Sequence, residues 1–136
     1  MEANVLPERF TAAKQYLDDA RFLFTAGRFE SAVSRAYYSV YQAMWAALGD
    51  PPRGGQWRHI GIIHHFVRGY WFDPTYPEIG PGLAEHLRFP LHRLYQFRVD
   101  ADYDLTHIGS YSAEECVRTT ERTIAEIDQR MRKESP

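Results

Sequence analysis

Apolar residues recur at steps of three and four along most of this chain, and glycine or proline breaks each run. Phe10, Ala13, Leu17, Ala20 and Phe24 mark a first face, and Gly27 is placed to end that helix. Phe29, Val33, Ala36, Val40, Ala43 and Ala47 mark a second, closed by Gly49 and the Pro51-Pro52 pair. So short a link folds the two helices into an antiparallel hairpin. A loop from Gly49 to Trp57 precedes a short third helix, predicted from His59 to Tyr70 with Ile60, Ile63, Val67 and Tyr70 inward. A second Pro/Gly-rich loop, Trp71 to Gly82, leads to a fourth helix over about Leu83 to Asp104, in which Pro90 either kinks the helix or opens its main part. Ser112 and Glu115 have capping-box spacing and are expected to start the last helix. Ala113, Cys116, Val117, Thr120, Ile124, Ile127 and Met131 line its buried side, and the polar tail from Arg130 to Pro136 is expected to fray.

No strand-like alternation competes with these stripes. Each helix offers one apolar face, so the helices must pack together. The expectation is an all-α, antiparallel up-and-down bundle of four to five helices, forming one domain over residues 1–136 with its core at about 6–131. An aromatic content of 15% argues for a large-residue core or an adhesive partner surface, and against disorder. The net charge of -2 supplies no global attraction to nucleic acid or to an anionic membrane, although a local basic patch is compatible with it. Cys116 is the only cysteine, so no intrachain disulfide forms, and its apolar stripe marks it as an inert core thiol. The opening MEANVLPERF has neither a basic leader nor an apolar signal core, and no run approaches the roughly 20 apolar residues of a membrane span. A cytoplasmic location without membrane contact is therefore expected.

The helical pattern breaks at one position. The inward stripe of the fourth helix reads Leu87, Leu91, Leu94, Arg98, Ala101, Leu105, which puts an arginine where the core or its edge should be. Burying a guanidinium alone costs several kcal/mol, so a carboxylate or a ligand anion should meet it. Asp102, one turn on, is the nearest candidate; Asp100, Asp104 and Asp18 or Asp19 of the first helix are others. A pair of Arg98 with Asp102 can simply pin the helix. Arginine before aspartate is the weaker order for such a pair, which leaves Arg98 freer to reach a ligand.

On the second helix Arg35, Tyr38 and Gln42 share a flank where an aromatic ring and a guanidinium can stack on a base. Tyr37 falls beside the inward stripe, where packing between helices explains it. The histidines miss the i,i+4 spacing of a helical metal site: His59 and His64 are five apart, His86 and His92 six, and His64-His65 point in different directions. Neither a metal nor a cofactor is expected, and no glycine-rich phosphate loop is present in the sequence.

Taken in order, three segments resemble the HEPN family, the small helical bundle named for nucleotide binding in higher eukaryotes and prokaryotes. Ala32 to Met44 is similar to its alanine and double-tyrosine run. Arg58 to Phe66 resembles its basic-His-apolar helix, and Arg98-Val-Asp-Ala-Asp-Tyr-Asp104 resembles the Arg-x-x-Ala-Asp-Tyr form of one bacterial and archaeal branch. The resemblance implies a homodimer with the functional segment of the fourth helix facing a cleft between subunits, and in many members a cognate nucleotidyltransferase in a toxin–antitoxin pair. In ribonuclease members it implies metal-independent RNA cleavage by an arginine followed, after four to six residues, by a histidine.

This chain departs from that motif. Tyr103 stands five residues after Arg98, and the next histidine, His107, follows after eight intervening residues. Nine steps of about 100° place Arg98 and His107 on roughly opposite sides of a helix. His59, at the border of the third helix's inward face, is the better histidine for acid–base work beside Arg98. The sequence thus leads to a HEPN-like domain that binds a nucleotide, RNA or a partner nucleotidyltransferase through Arg35, Tyr38, Arg98, Asp102 and Tyr103. One alternative is a HEPN ribonuclease toxin using Arg98 with His59 or His107. Another is a non-catalytic structural dimer module.

Overall fold

A computed structural model of the chain describes residues 6–76 and 80–134. Among these residues five helices form: α1 Pro7–Thr25, α2 Phe29–Leu48, α3 His59–Arg68, α4 Arg88–Asp102 and α5 Ser110–Glu134, with a 3₁₀ turn at Glu85–Leu87 leading into α4. No strand occurs among the described residues, so the all-α bundle stands. Among them, no helix is long and apolar enough to cross a membrane. The opening Met1 to Val5 of the N-terminal reading, residues 77–79 of the second loop and the last two tail positions lie outside the described residues.

The helix α2 is the centre. It packs against α1, α3, α4 and α5, and its buried positions extend well beyond one stripe to include Tyr37, Tyr41, Met44, Trp45 and Ala46. The alanines at 36, 43, 46 and 47 permit this, because short side chains let neighbouring helices approach from several sides. The polar groups drawn into that core are satisfied: Ser39 Oγ donates to the Ala13 carbonyl at 2.6 Å, and Thr120 Oγ1 to the Ala36 carbonyl at 3.2 Å. Cys116 lies among these residues, and burial pushes its thiol up to about 12.

Several helix ends differ from the expected ones. Helix α3 buries Ile62, Ile63, Phe66 and Val67, while Ile60 and Tyr70 are exposed. Gly69 adopts the left-handed conformation (φ 87°) and ends α3 one residue before Tyr70, which therefore leaves the helical face. Pro90 sits in the first turn of α4, the position where its missing N–H costs nothing. At the other end the chain turns left-handed at Leu105 (φ 54°), so Leu105 leaves the stripe and is 85% exposed. Helix α5 starts at Ser110, since the Gly109 carbonyl already accepts from the Ala113 N–H at 3.1 Å; Ser112 lies inside the first turn and does not cap.

The C-terminal segment is more engaged than its composition suggests. Helix α5 runs to Glu134, and Arg130 donates to the Leu83 carbonyl at 2.9 Å, pairs with Glu126 at 3.0 Å and lies 5.5 Å from the Phe72 ring centre. This ties α5 to the segment that follows α3. There Gly82 presses on the last turn of α3 so closely that a Cβ would fall 2.2 Å from the Val67 carbonyl oxygen. Ala84 N–H then donates to that same oxygen at 3.0 Å.

Candidate functional site

The α3 N-terminus is delivered to α2 by its aromatic residues. Tyr41 donates its hydroxyl to the Trp57 carbonyl, and the Trp57 indole N–H donates to the Gly49 carbonyl at 2.8 Å, which folds the intervening loop back on α2. His59 follows two residues later and lands among Tyr37, Tyr41 and Tyr95, with ring centres 5.1–5.6 Å away. Its Nδ1 is hydrogen-bonded to the hydroxyl of the fully buried Tyr37. Burial lowers the His59 pKa, and the neighbouring Arg98 charge lowers it further.

Arg98 reaches the same place from α4. It is 7% exposed, as its position in the inward stripe predicts. Asp102 accepts from its Nε at 3.1 Å, and its Nη2 donates to the Tyr103 hydroxyl at 3.3 Å. The rings of Tyr37, Tyr38 and Tyr103 stand 5.1–5.7 Å from its guanidinium carbon. Burial opposes the Arg98 charge, but the phenols of Tyr38 and Tyr103 and the Asp102 carboxylate outweigh it and raise its pKa above the usual guanidinium value. Of the other acids weighed as partners, Asp18 pairs with Arg21 and Asp100 accepts from Gln96.

Two clefts open beside this arrangement, and Tyr38 lines both. The first, of about 320 Å³, is lined by Arg9, Tyr38, Tyr41, Gln42, Trp45, Gln56, His59 and Arg98. Two guanidinium groups and one histidine face it, and no carboxylate is among the described residues lining it. Arg9 is held in place from α1: its guanidinium carbon lies 3.5 Å from the Trp45 ring centre and its Nη1 donates to Gln42 Oε1 at 2.7 Å. The second cleft, of about 870 Å³, lies between α1, α2 and the end of α4, and Tyr16, Glu30, Ser34, Arg35 and Asp102 are among its lining. Ser34 donates to Asp102 at 3.2 Å, and Arg35 lies 5.8 Å from the Tyr16 ring centre.

The structure therefore gathers His59, Tyr38 and Arg98 in one cleft and places Arg35 with Asp102 in the other, with Tyr103 at the exposed end of α4. His107 is in neither lining; it is 84% exposed, and its Nδ1 lies 3.4 Å from Glu30 Oε1. Sequence reasoning missed Arg9, Trp45 and Gln56. Arg9 neighbours a core position without breaking the stripe, so only the packing of α1 across α2 reveals it. No group of His, Cys, Asp and Glu among the described residues is arranged to hold a metal ion.

A family model described as the HEPN domain matches residues 7–130. The chain belongs to the HEPN family. Comparison with curated proteins returns no match. In this HEPN domain the Arg98-to-Tyr103 segment closes on itself, because the residue five positions after the arginine is a tyrosine whose hydroxyl meets that arginine's guanidinium.

Proposed function

We propose that this HEPN domain binds the phosphate and base of a nucleotide, or of a short single-stranded RNA, in the cleft around Arg98. The observation that carries the reading is the lining of that cleft: two arginines, a histidine and three aromatic residues of α2, with no carboxylate among the described residues. Guanidinium groups suit phosphate oxygens, and the ring of Tyr38, the exposed one of the three aromatics, suits a base. Asp102 and Tyr103 orient the Arg98 guanidinium, while Arg35 and Tyr38 extend the contact surface into the neighbouring cleft. The test is thermal stabilisation of the wild type by a panel of mononucleotides and short single-stranded RNAs. A ligand present at 100 times its Kd raises stability by about 2.7 kcal/mol, and Arg98→Ala is expected to abolish the effect. No shift across the panel would end this reading.

One observation favours a second reading, metal-independent RNA cleavage. His59 and Arg98 share a cleft, which sets a titratable side chain beside a phosphate-binding arginine. An assay on structured RNAs decides it: absence of cutting by the wild type eliminates cleavage. The family's homodimer, and a cognate nucleotidyltransferase in a toxin–antitoxin pair, would engage the rim, where Tyr103 (67% exposed) and Leu105 project from the end of α4. Sedimentation of the full chain, alone and with a neighbouring nucleotidyltransferase, tests both.

A further inference from the structure

We infer that the buried Tyr37 hydroxyl locks His59 in the neutral tautomer that carries its proton on Nε2, so that His59 offers the Arg98 cleft a hydrogen-bond donor and not a proton acceptor. The tautomer follows from where protons can go. Tyr37 is fully buried, and among the described residues its hydroxyl has one hydrogen-bond partner, His59 Nδ1. A buried O–H left without an acceptor costs about 1–3 kcal/mol, so this hydroxyl donates and Nδ1 accepts. An imidazole nitrogen that accepts carries no proton, and the ring's single proton is then on Nε2.

Protonating His59 would turn Nδ1 into a second donor aimed at the Tyr37 oxygen and leave the phenol hydrogen without an acceptor. Burial away from water and the nearby Arg98 charge disfavour the protonated ring. Tyr37 and Tyr41 of α2 and Tyr95 of α4 pack on the ring, Arg98 of α4 adds a positive charge, and Arg9 of α1 faces the same cleft. Burial also drives the Tyr37 hydroxyl far above the ordinary phenol range, so it keeps the proton it donates.

The function of the lock rests on the nucleotide reading above. Arg98 supplies a charged donor and His59 a neutral one to the same cleft, a pair suited to two oxygens of one phosphoryl group. A histidine held this way has no free lone pair with which to take a proton from a ribose hydroxyl. Tyr37 is thus a positioning residue, acting through His59.

The experiment is long-range proton–nitrogen correlation NMR of the full chain with ¹⁵N-labelled histidine. In the ligand-free wild type at neutral pH, His59 is expected to show a protonated Nε2 and a bare Nδ1, and to titrate below the ordinary histidine range. Tyr37→Phe keeps the ring and removes the O–H; it is expected to yield mixed tautomers and a higher His59 pKa. Should that variant fail to fold, the wild-type spectrum still decides the tautomer. A proton on Nδ1, or titration like a free histidine, overturns the lock.

The donor role is read separately with inorganic phosphate as the probe. Its binding is expected to survive within about threefold in His59→Gln, whose amide retains a donor near the Nε2 position, and to fall about tenfold in His59→Ala. Equal loss in both variants, or no phosphate binding to the wild type, overturns it. If no nucleotide or RNA binds, the proposed function fails while the tautomer, read without ligand, stands.

Discussion

Asp102 takes the Nε–H of Arg98 at 3.1 Å from one turn further along α4, and Ser34 of α2 donates to that same carboxylate at 3.2 Å. The chain Ser34–Asp102–Arg98 therefore joins two helices and fixes the one guanidinium that the apolar stripe of α4 draws inward. Asp102→Asn removes the charge that faces Arg98 while keeping the shape. It is expected to lower stability by about 1–2 kcal/mol, and Arg98→Ala by about 2–3 kcal/mol because packing on three tyrosine rings goes too. Urea midpoints measure both; unchanged midpoints would show that the pair does not hold the bundle.

The two clefts predict unequal responses to loss of an arginine. Arg9 lines the cleft of Arg98, whereas Arg35 lines the neighbouring one beside Glu30 and Asp102. Arg9→Ala is expected to weaken mononucleotide binding about tenfold, Arg35→Ala by less than threefold, with the difference shrinking at high salt. Isothermal titration at two ionic strengths checks this. A larger loss from Arg35→Ala would move the phosphate to the second cleft.

Stability should fall as the solution is acidified through the ordinary histidine range. The folded His59 has a lowered pKa, from burial first and the Arg98 charge second, so the unfolded chain binds the proton more readily. The slope of stability against pH is therefore positive between the folded and unfolded His59 values, and this contribution is lost as pH drops through that window. His64, lowered by burial and by Arg88, acts in the same direction. Thermal melts from pH 7.5 to 5 of wild type and His59→Gln test it; the variant is expected to show the smaller decline.

Gly82→Ala should be among the most damaging single substitutions in the molecule. The added methyl would sit 2.2 Å from the Val67 carbonyl oxygen and 2.6 Å from Arg68 Cα, both backbone atoms that cannot move aside cheaply. The expected loss is roughly 2–4 kcal/mol, seen as a lower denaturation midpoint. A near-neutral effect would mean that the segment after α3 can withdraw from it.

Leu105 carries backbone strain that glycine would relieve. At φ 54° the Cβ of an L residue crowds the following carbonyl, and with 85% exposure this side chain gains little from packing. Leu105→Gly is expected to hold or raise stability by up to about 1 kcal/mol, the relief offsetting the greater freedom of the unfolded chain. A clear loss in calorimetry would show that Leu105 packs on something in solution, as a partner contact requires.

The sequence by itself determined the helices and the arginine. Periods of three and four, broken at Gly27 and Gly49, place α1 and α2 because a helix has one fixed turn angle and a buried face must repeat with it. The same rule exposed Arg98 as a charge on an apolar stripe, and short range along one helix named Asp102 as its partner. It reached too far at Tyr70, where left-handed Gly69 ends α3, and at Leu105, three residues past the end of α4 and itself left-handed, neither of which periodicity can register. Only tertiary structure decided what surrounds the arginine. Arg9 comes from a helix 89 positions earlier and His59 from one 39 positions earlier, and neither breaks a local pattern. Tyr37 reads as an ordinary core residue until its hydroxyl is seen to meet His59. A periodic pattern records which side of each helix faces inward, but a binding cleft depends on which inward sides meet, and that is fixed by packing between helices distant in the chain.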